Sequence, residues 1–478
     1  MQRFKCSLAL AGLIVASISA SVSASADAAD GIAAAPAASP TADAVVTPPT
    51  GLVYKGLTLQ LGGFLASEMV YRANNTASDI ATAHAKNPFG NSIGYGTAEF
   101  RGTERQSRFS LLAQGDSGQG TRFSGYYELD FLGTAPTSNA NESNSYTART
   151  RNVYLAVDWV SGFHLLAGQN WSLITANTKG ISLRTEALPA TIDAQYAVGF
   201  QWARQWQLRV TQDICEHLWG ALSFEEAQTV GVAGTAAAGT GNTYQLPAGA
   251  SMSANMSFNS YPDVIAKLAW EPGVGHFEIY NLLRNFQSSY GGTTTATQTN
   301  KQSSWTDAVG GNAIVPLFTG LIDLSVSGLY GKGAARYATS TLNDATFSSN
   351  GSLNPLNGTE YLAQVTWHAT KQWDAYMNYG QETVDSSASA DSSSGFGDGV
   401  VADNSGCNTL GGTCSPNLRS VQQGNAGTWW SFYKGTFGVA KLGLQYSHTI
   451  LDAFRDSKGF SANTTQDMAF TSLRYYPF

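Results

Sequence analysis

Charge is what this sequence has least of. Of its 478 residues only 13% are Asp, Glu, Lys or Arg, about half the share found in an ordinary soluble protein. Long apolar runs are missing as well. Beyond residue 26 no stretch of roughly 18 uncharged apolar residues occurs, which excludes helical membrane spans. Proline is held to 14 residues and cysteine to 4. The 6 histidines (His84, His164, His217, His276, His368 and His448) are scattered over separate segments. No nucleophile elbow, zinc-ligand spacing or phosphate-binding glycine loop sits in a fitting strand–helix setting. The sequence therefore reads as a non-enzyme with no cofactor and no metal site. A net charge of −7 argues against a nucleic-acid partner. In place of charge there are 50 Gly, 22 Phe, 21 Tyr and 11 Trp. Few charges, many aromatics and no helical span point to an alternating β structure with one apolar face.

The N-terminus supplies an address. Arg3 and Lys5 precede an apolar segment, Leu8 to Ile18, that is too short to span a bilayer, and Ala24-Ser25-Ala26 forms a small-residue cleavage site. Residues 1–26 are expected to be a secretory signal peptide. Residues 27–52, with Pro36, Pro40, Pro48 and Pro49, read as an Ala/Pro-rich linker. Cys407 and Cys414 lie close together in a Gly/Ser/Asn-rich stretch and, in an oxidising compartment, are expected to pair as a loop disulfide. Cys215 reads as a small residue of a short turn.

From residue 53 to 478 the chain alternates. Phe123, Tyr127 and Leu129 oppose Arg122, Tyr126, Glu128 and Asp130; Val264, Ala266, Leu268 and Trp270 oppose Lys267; Ile322, Leu324 and Val326 oppose Asp323, Ser325 and Ser327. A period of two gives one apolar and one wet face. Short turns such as Val160-Ser161-Gly162 and Ala369-Thr370-Lys371 alternate with long polar insertions, among them Ala73–Gly94, Tyr337–Gly358 and Asp385–Gln423. The insertions are too polar to pack a core and are expected to lie in water. About 16 strands with short periplasmic turns and long extracellular loops make the predicted fold all-β, a transmembrane antiparallel β-barrel wide enough to hold an aqueous channel. Trp159, Trp171, Trp202, Trp206, Trp219, Trp270, Trp305, Trp367, Trp373, Trp429, Trp430, Tyr475 and Tyr476 are expected in two interfacial girdles. At the C-terminus Phe478 and Tyr476 fit an apolar, outward-facing parity that Arg474 breaks.

Two features suggest what lines the bore. Residues 170–190 are less Gly/Ser-rich than the other insertions and carry Leu173, Ile174, Ile181, Leu183 and Leu188, so they are expected to fold inward as a constriction. Between residues 95 and 210 the cations are nearly all arginine, the side chain suited to planar contacts with carboxylates. Arg108, Arg122 and Arg209 fall on wet faces. Arg149 and Arg151 share the parity of Val153 and Leu155, and reach the lumen only through a bulge or from beyond the lipid zone. Arg184 and Glu186 belong to the inward segment. These residues, with Glu128 and Asp130, form the expected pore lining, although salt bridges within the wall would use the same charges.

The stretches Arg149-Thr150-Arg151-Asn152-Val153-Tyr154 and Leu165-Leu166-Ala167-Gly168-Gln169-Asn170-Trp171-Ser172, with Glu128-Leu129-Asp130-Phe131 and the ending Leu473-Arg474-Tyr475, resemble the DcaP-like outer-membrane porins over about residues 57–215. That resemblance implies a homotrimer of 16-stranded barrels in outer-membrane lipid, passing small hydrophilic solutes, above all anions such as dicarboxylates. Competing readings are a sugar porin using Trp171 or Tyr126 as a platform, a barrel enzyme, and a closed surface adhesion barrel working through its loops.

Overall fold

A computed structural model describes residues 51–133, 147–231, 259–290, 300–348, 352–388, 395–400 and 402–478. The signal-peptide and linker expectations lie outside them, apart from the last linker residues. The described chain forms a closed antiparallel barrel of 16 strands. They are β1 (Leu57–Arg72), β2 in two pieces (Glu99–Thr103 and Arg108–Asp116), β3 (Thr121–Asp130), β4 (Arg149–Trp159), β5 (Phe163–Trp171), β6 (Arg204–Cys215), β7 (Leu218–Glu225) and β8 (Asp263–Trp270). The second half comprises β9 (His276–Tyr290), β10 (Asn300–Leu317), β11 (Ile322–Lys332), β12 (Asn357–His368), β13 (Trp373–Val384), β14 (Leu418–Gly435), β15 (Gly438–Ala453) and β16 (Asn463–Tyr476). Each strand pairs with its sequence neighbours, and β16 pairs back onto β1 from Leu65↔Tyr475 to Arg72↔Met468. Closure leaves no free edge to recruit other strands. Both pieces of β2 pair with β1, and the Ser107 hydroxyl between them accepts the Ala66 N–H at 2.9 Å.

The wall is inside-out relative to a soluble protein. Leu155, Met377 and Leu61 are 70%, 67% and 65% exposed, whereas Glu68, Glu225, Arg151 and Lys267 are at most 2% exposed. Apolar side chains projecting all round a closed cylinder need an apolar solvent, and lipid supplies it. Aromatic pairs mark the belt edges: Trp373 stacked on Trp430 with centroids 5.5 Å apart, and the tilted pairs Trp159 with Phe163 and Tyr261 with Trp305.

The structure corrects the girdle expectation in part. Trp171 and Trp429 are buried in the lumen, Trp219 packs against the interior cluster around Leu173 and Ile265, and Trp202 donates its indole N–H to Ala338 O at 2.9 Å. Trp429 likewise donates to Ala190 O at 2.8 Å. A buried indole needs an acceptor, and the packed interior provides one. The C-terminal parity is also the reverse of that expected. Leu473 and Tyr475 face outward, Arg474 is buried inside, and β16 runs against β15 without a register shift. Arg474 is thus a regular lumen residue, and Tyr476 shares its side.

The long insertions do not simply lie in water. Phe396, Val400 and Cys407, from the connection between β13 and β14, are fully buried. Phe396 packs with Val198, Leu342, Leu356 and Phe454, which come from three other connections. Sparse apolar residues, too few to form a core within any one loop, form one between loops. Cys407 and Cys414 are joined by a disulfide there.

Candidate functional site

The connection after β5, residues 172–203, runs through the lumen. Leu173, Ile174 and Ile181 pack against Ile265, Ala269, Tyr280 and Leu282 of the inner wall. Its backbone N–H groups find acceptors on strand after strand around the barrel. Leu173 N–H donates to Glu225 of β7 (2.8 Å), Asn177 N–H to Glu278 of β9 (3.1 Å), and Gly180 N–H to Glu271 in the turn between β8 and β9 (2.6 Å). Ala190 N–H reaches Gln364 of β12 (2.9 Å), Gly199 N–H reaches Glu382 of β13 (2.8 Å), Val198 N–H reaches Gln423 of β14 (3.2 Å), and Ile192 N–H reaches Gln445 of β15 (2.6 Å). Lys267 Nζ of β8 donates to Thr175 O at 2.9 Å, and Arg474 of β16 donates to Ile192 O. Each such bond contributes on the order of 1 kcal/mol, and a tether lost from a buried N–H costs more. The segment is a cross-beam fixed at many points.

A second connection enters from the loop side. Asp263 of β8 accepts from Arg284 Nε (3.2 Å), from Arg336 (3.2 Å) and from the Tyr337 hydroxyl (2.8 Å), and Asp344 pairs with Arg284 at 3.2 Å. These groups are buried. A buried charge persists only when paired, so this cluster holds residues 333–348 inside the mouth.

On the turn side of the cross-beam lies a cavity of about 730 Å³. The structure brings most of the expected arginines to it, with different partners. Arg151 is buried, pairs with Glu128, and donates to Asp130 at 2.9 Å. It turns inward because Glu128 pairs with Asn152 and Leu129 with Thr150, a register shift that leaves Arg151 as the bulged residue. Arg108 also lines the cavity, 9% exposed, with its guanidinium carbon 5.2 Å from the Phe64 ring centroid and its Nε lacking a hydrogen-bond partner. Arg184 adopts φ 63°, lies over the Tyr126 ring at 5.8 Å, and has an unpartnered Nε; Glu186 lines the same cavity.

The remaining expected residues stand elsewhere. Arg149 pairs with Asp130 at 2.6 Å but is not part of the cavity lining. Arg209 is buried and donates to Trp171 O at 2.6 Å, fixing the start of the cross-beam. Arg122 is exposed near the turn-side end of β3, opposite Asp116 and Asp158. Sequence reasoning left out of the site Arg204, whose guanidinium lies 4.9 Å from the Trp171 ring centroid, and Lys371, Lys434 and Lys441 at the turn-side mouth. The parity of β16 would have revealed Arg474, had its last outward residue been placed at Tyr475.

Three imidazoles brace the turn-side rim. His164 lies between Asp158 (2.7 Å) and Asp213 (3.3 Å), His276 between Glu271 and Glu278 (3.0 Å each), and His368 between Asp323 and Asp374 (2.7 Å each). Both ring nitrogens are engaged in each case, so these groups link neighbouring elements of the rim. Among the described residues no cluster of three or more His, Cys, Asp and Glu side chains is arranged to hold a metal ion.

No known family profile matches the sequence, and no curated protein does. Solved structures do match. The outer-membrane channel DcaP of Acinetobacter baumannii is 17% identical, with a TM-score of 0.61 over 89% of this chain and 99% of that one. Salmonella typhi OmpF in complex with daunomycin is 10% identical, with a TM-score of 0.48 over 89% and 99%. The anion-selective porin from Comamonas acidovorans is 12% identical, with a TM-score of 0.47 over 88% and 99%. The fold of this chain is that of the outer-membrane channel DcaP.

Proposed function

We propose that this chain is an outer-membrane porin of the DcaP-like kind, exported by residues 1–26, assembled as a homotrimer in outer-membrane lipid, and passing small hydrophilic solutes with a preference for anions. The observation that carries the anion preference is Arg108: a buried guanidinium facing a 730 Å³ cavity, with no ion pair to any described residue. Beside it Arg151 is neutralised by Glu128 and Asp130, and Arg184 offers a second unpartnered Nε. A carboxylate entering the cavity supplies the missing acceptor, and because its contacts are few it leaves again, as conduction requires. Nearby, Glu68 is held by Arg474 at 2.7 Å, and Asp193 stands close enough to interact with both.

The sugar reading loses its platforms. Arg184 lies over Tyr126, whose hydroxyl donates to Glu128 at 3.0 Å, and Arg151 and Arg204 lie over Trp171. The test is ion selectivity in a planar bilayer. Purified protein under a KCl gradient should give a reversal potential of anion-selective sign, shifted toward zero in Arg108→Gln. A cation-selective wild type, or no conductance, overturns the proposal.

A further inference from the structure

The turn-side mouth holds positive charge besides Arg108. Lys371, in the turn between β12 and β13, and Lys434, near the end of β14, line the cavity with no ion pair to any described residue. Lys441 of β15 lines it too, with its Nζ 5.6 Å from the Tyr476 ring centroid. Of the three acids that share the lining, Glu128 pairs with Arg151, Asp374 shares His368 with Asp323, and Glu186 stands at the cross-beam beside Arg184. At the bottom of the same space lies the unpartnered, buried Arg108. Ammonium groups on flexible stems round an open rim, above a guanidinium at depth, form a graded pocket. A volume of about 730 Å³ lies in the range of small-molecule sites.

The geometry points to a binding site at this mouth for a soluble compound carrying two or more phosphoryl groups. Lysine binds phosphate as a point charge, whereas the planar fork of arginine suits carboxylate and phosphate alike, so the preference at this rim rests on charge. A phosphoryl group carries up to two negative charges where a carboxylate carries one, so clustered ammonium groups favour it. The lysines stand round the open turn-side rim of a cavity that continues into the barrel to Arg108, so the ligand assigned here is a free solute entering from the turn side. The site stands on the cavity and its charges, whether or not the pore conducts.

Calorimetric titration of full-length protein in detergent, with inorganic triphosphate as the probe and no lipid present, tests this without any current. Wild type should bind, and more weakly as salt rises. Lys371→Gln/Lys434→Gln should lose about tenfold in affinity, the sum of two partly screened charge contacts. Lys371→Arg/Lys434→Arg should retain binding, which separates loss of charge from loss of fold. No binding by the wild type, or equal affinity in the Gln variant, overturns the site. Citrate binding as tightly as triphosphate overturns its phosphoryl assignment.

Discussion

The Arg474 guanidinium of the last strand lies 2.7 Å from the Glu68 carboxylate of the first, inside the seam that closes the cylinder. Both side chains are nearly inaccessible, and Arg474 also holds Ile192 O of the cross-beam. One residue therefore joins closure of the barrel to placement of the segment that fills it. Breaking a buried pair from one side leaves the other charge uncompensated, at a cost of about 3–5 kcal/mol. Glu68→Gln should destabilise the barrel by that order, and Glu68→Gln/Arg474→Leu by less than the single changes sum to. Urea unfolding of refolded protein in vesicles, followed by tryptophan fluorescence, measures both.

Charge in the bore and charge at its rim should separate in electrophysiology. Arg108 is buried at the cavity, whereas Arg122 is solvated near the strand end opposite Asp116 and Asp158. Solvent screens an exposed charge within about 8–10 Å at ordinary ionic strength. Arg122→Gln should leave the reversal potential within error of wild type under conditions where Arg108→Gln shifts it. An equal shift in both would place the filter at the rim.

Much of the barrel is legible in the sequence because a period of two is a local signal. Tyr126, Glu128 and Asp130 against Tyr127 and Leu129 assign β3 directly. The inward turn of Arg151 is not legible by parity, since a bulge shifts the face by one residue, and the bulge is set jointly by β3 and β4. The packed mouth is still less so. Phe396 stands among Ser and Gly, and its partners Val198, Leu342 and Phe454 lie far away in sequence. Nor does the unpaired state of Arg108 follow from its neighbours in sequence. It follows from Glu128 being occupied by Arg151.

Gly199 should be the most sensitive position of the cross-beam. Its φ is +84°, and a Cβ there would stand 1.9 Å from Tyr361 O of β12. Gly199→Ala meets a left-handed backbone penalty of about 1–2 kcal/mol and a clash that only displacement of the segment relieves. That displacement breaks the bond from Gly199 N–H to Glu382. The expected outcome is a larger single-channel conductance with faster proteolysis between residues 172 and 203, while the strands stay folded. A conductance equal to wild type would mean that the segment does not narrow the path.

Anchorage of the cross-beam should weaken as pH rises toward 8. Asp193 is 6% exposed, and one of its carboxylate oxygens has no hydrogen-bond partner. Burial, reinforced by the Glu68 charge and opposed by Arg474, Arg149 and Arg108, pushes its carboxyl up to about 7. A raised carboxyl binds its proton more tightly in the packed state, so the stability it contributes is present at low pH and is lost as pH rises through about 4 to 7. His84 works in the opposite direction. It lies in the connection between β1 and β2, its ring contacts Tyr196 O at 3.1 Å, and burial lowers it to about 4. Its contribution is present above its ordinary value of 6.5 and is lost as pH falls toward about 4. The two slopes oppose each other over most of the interval, and near neutrality only the loss from Asp193 remains. Hydrogen exchange of residues 172–203 should therefore accelerate in the wild type between pH 6.5 and 7.5, beyond the intrinsic base-catalysed increase. Asp193→Asn, which cannot ionise, should follow the intrinsic rate alone. The same excess acceleration in the Asn variant would remove Asp193 from this role.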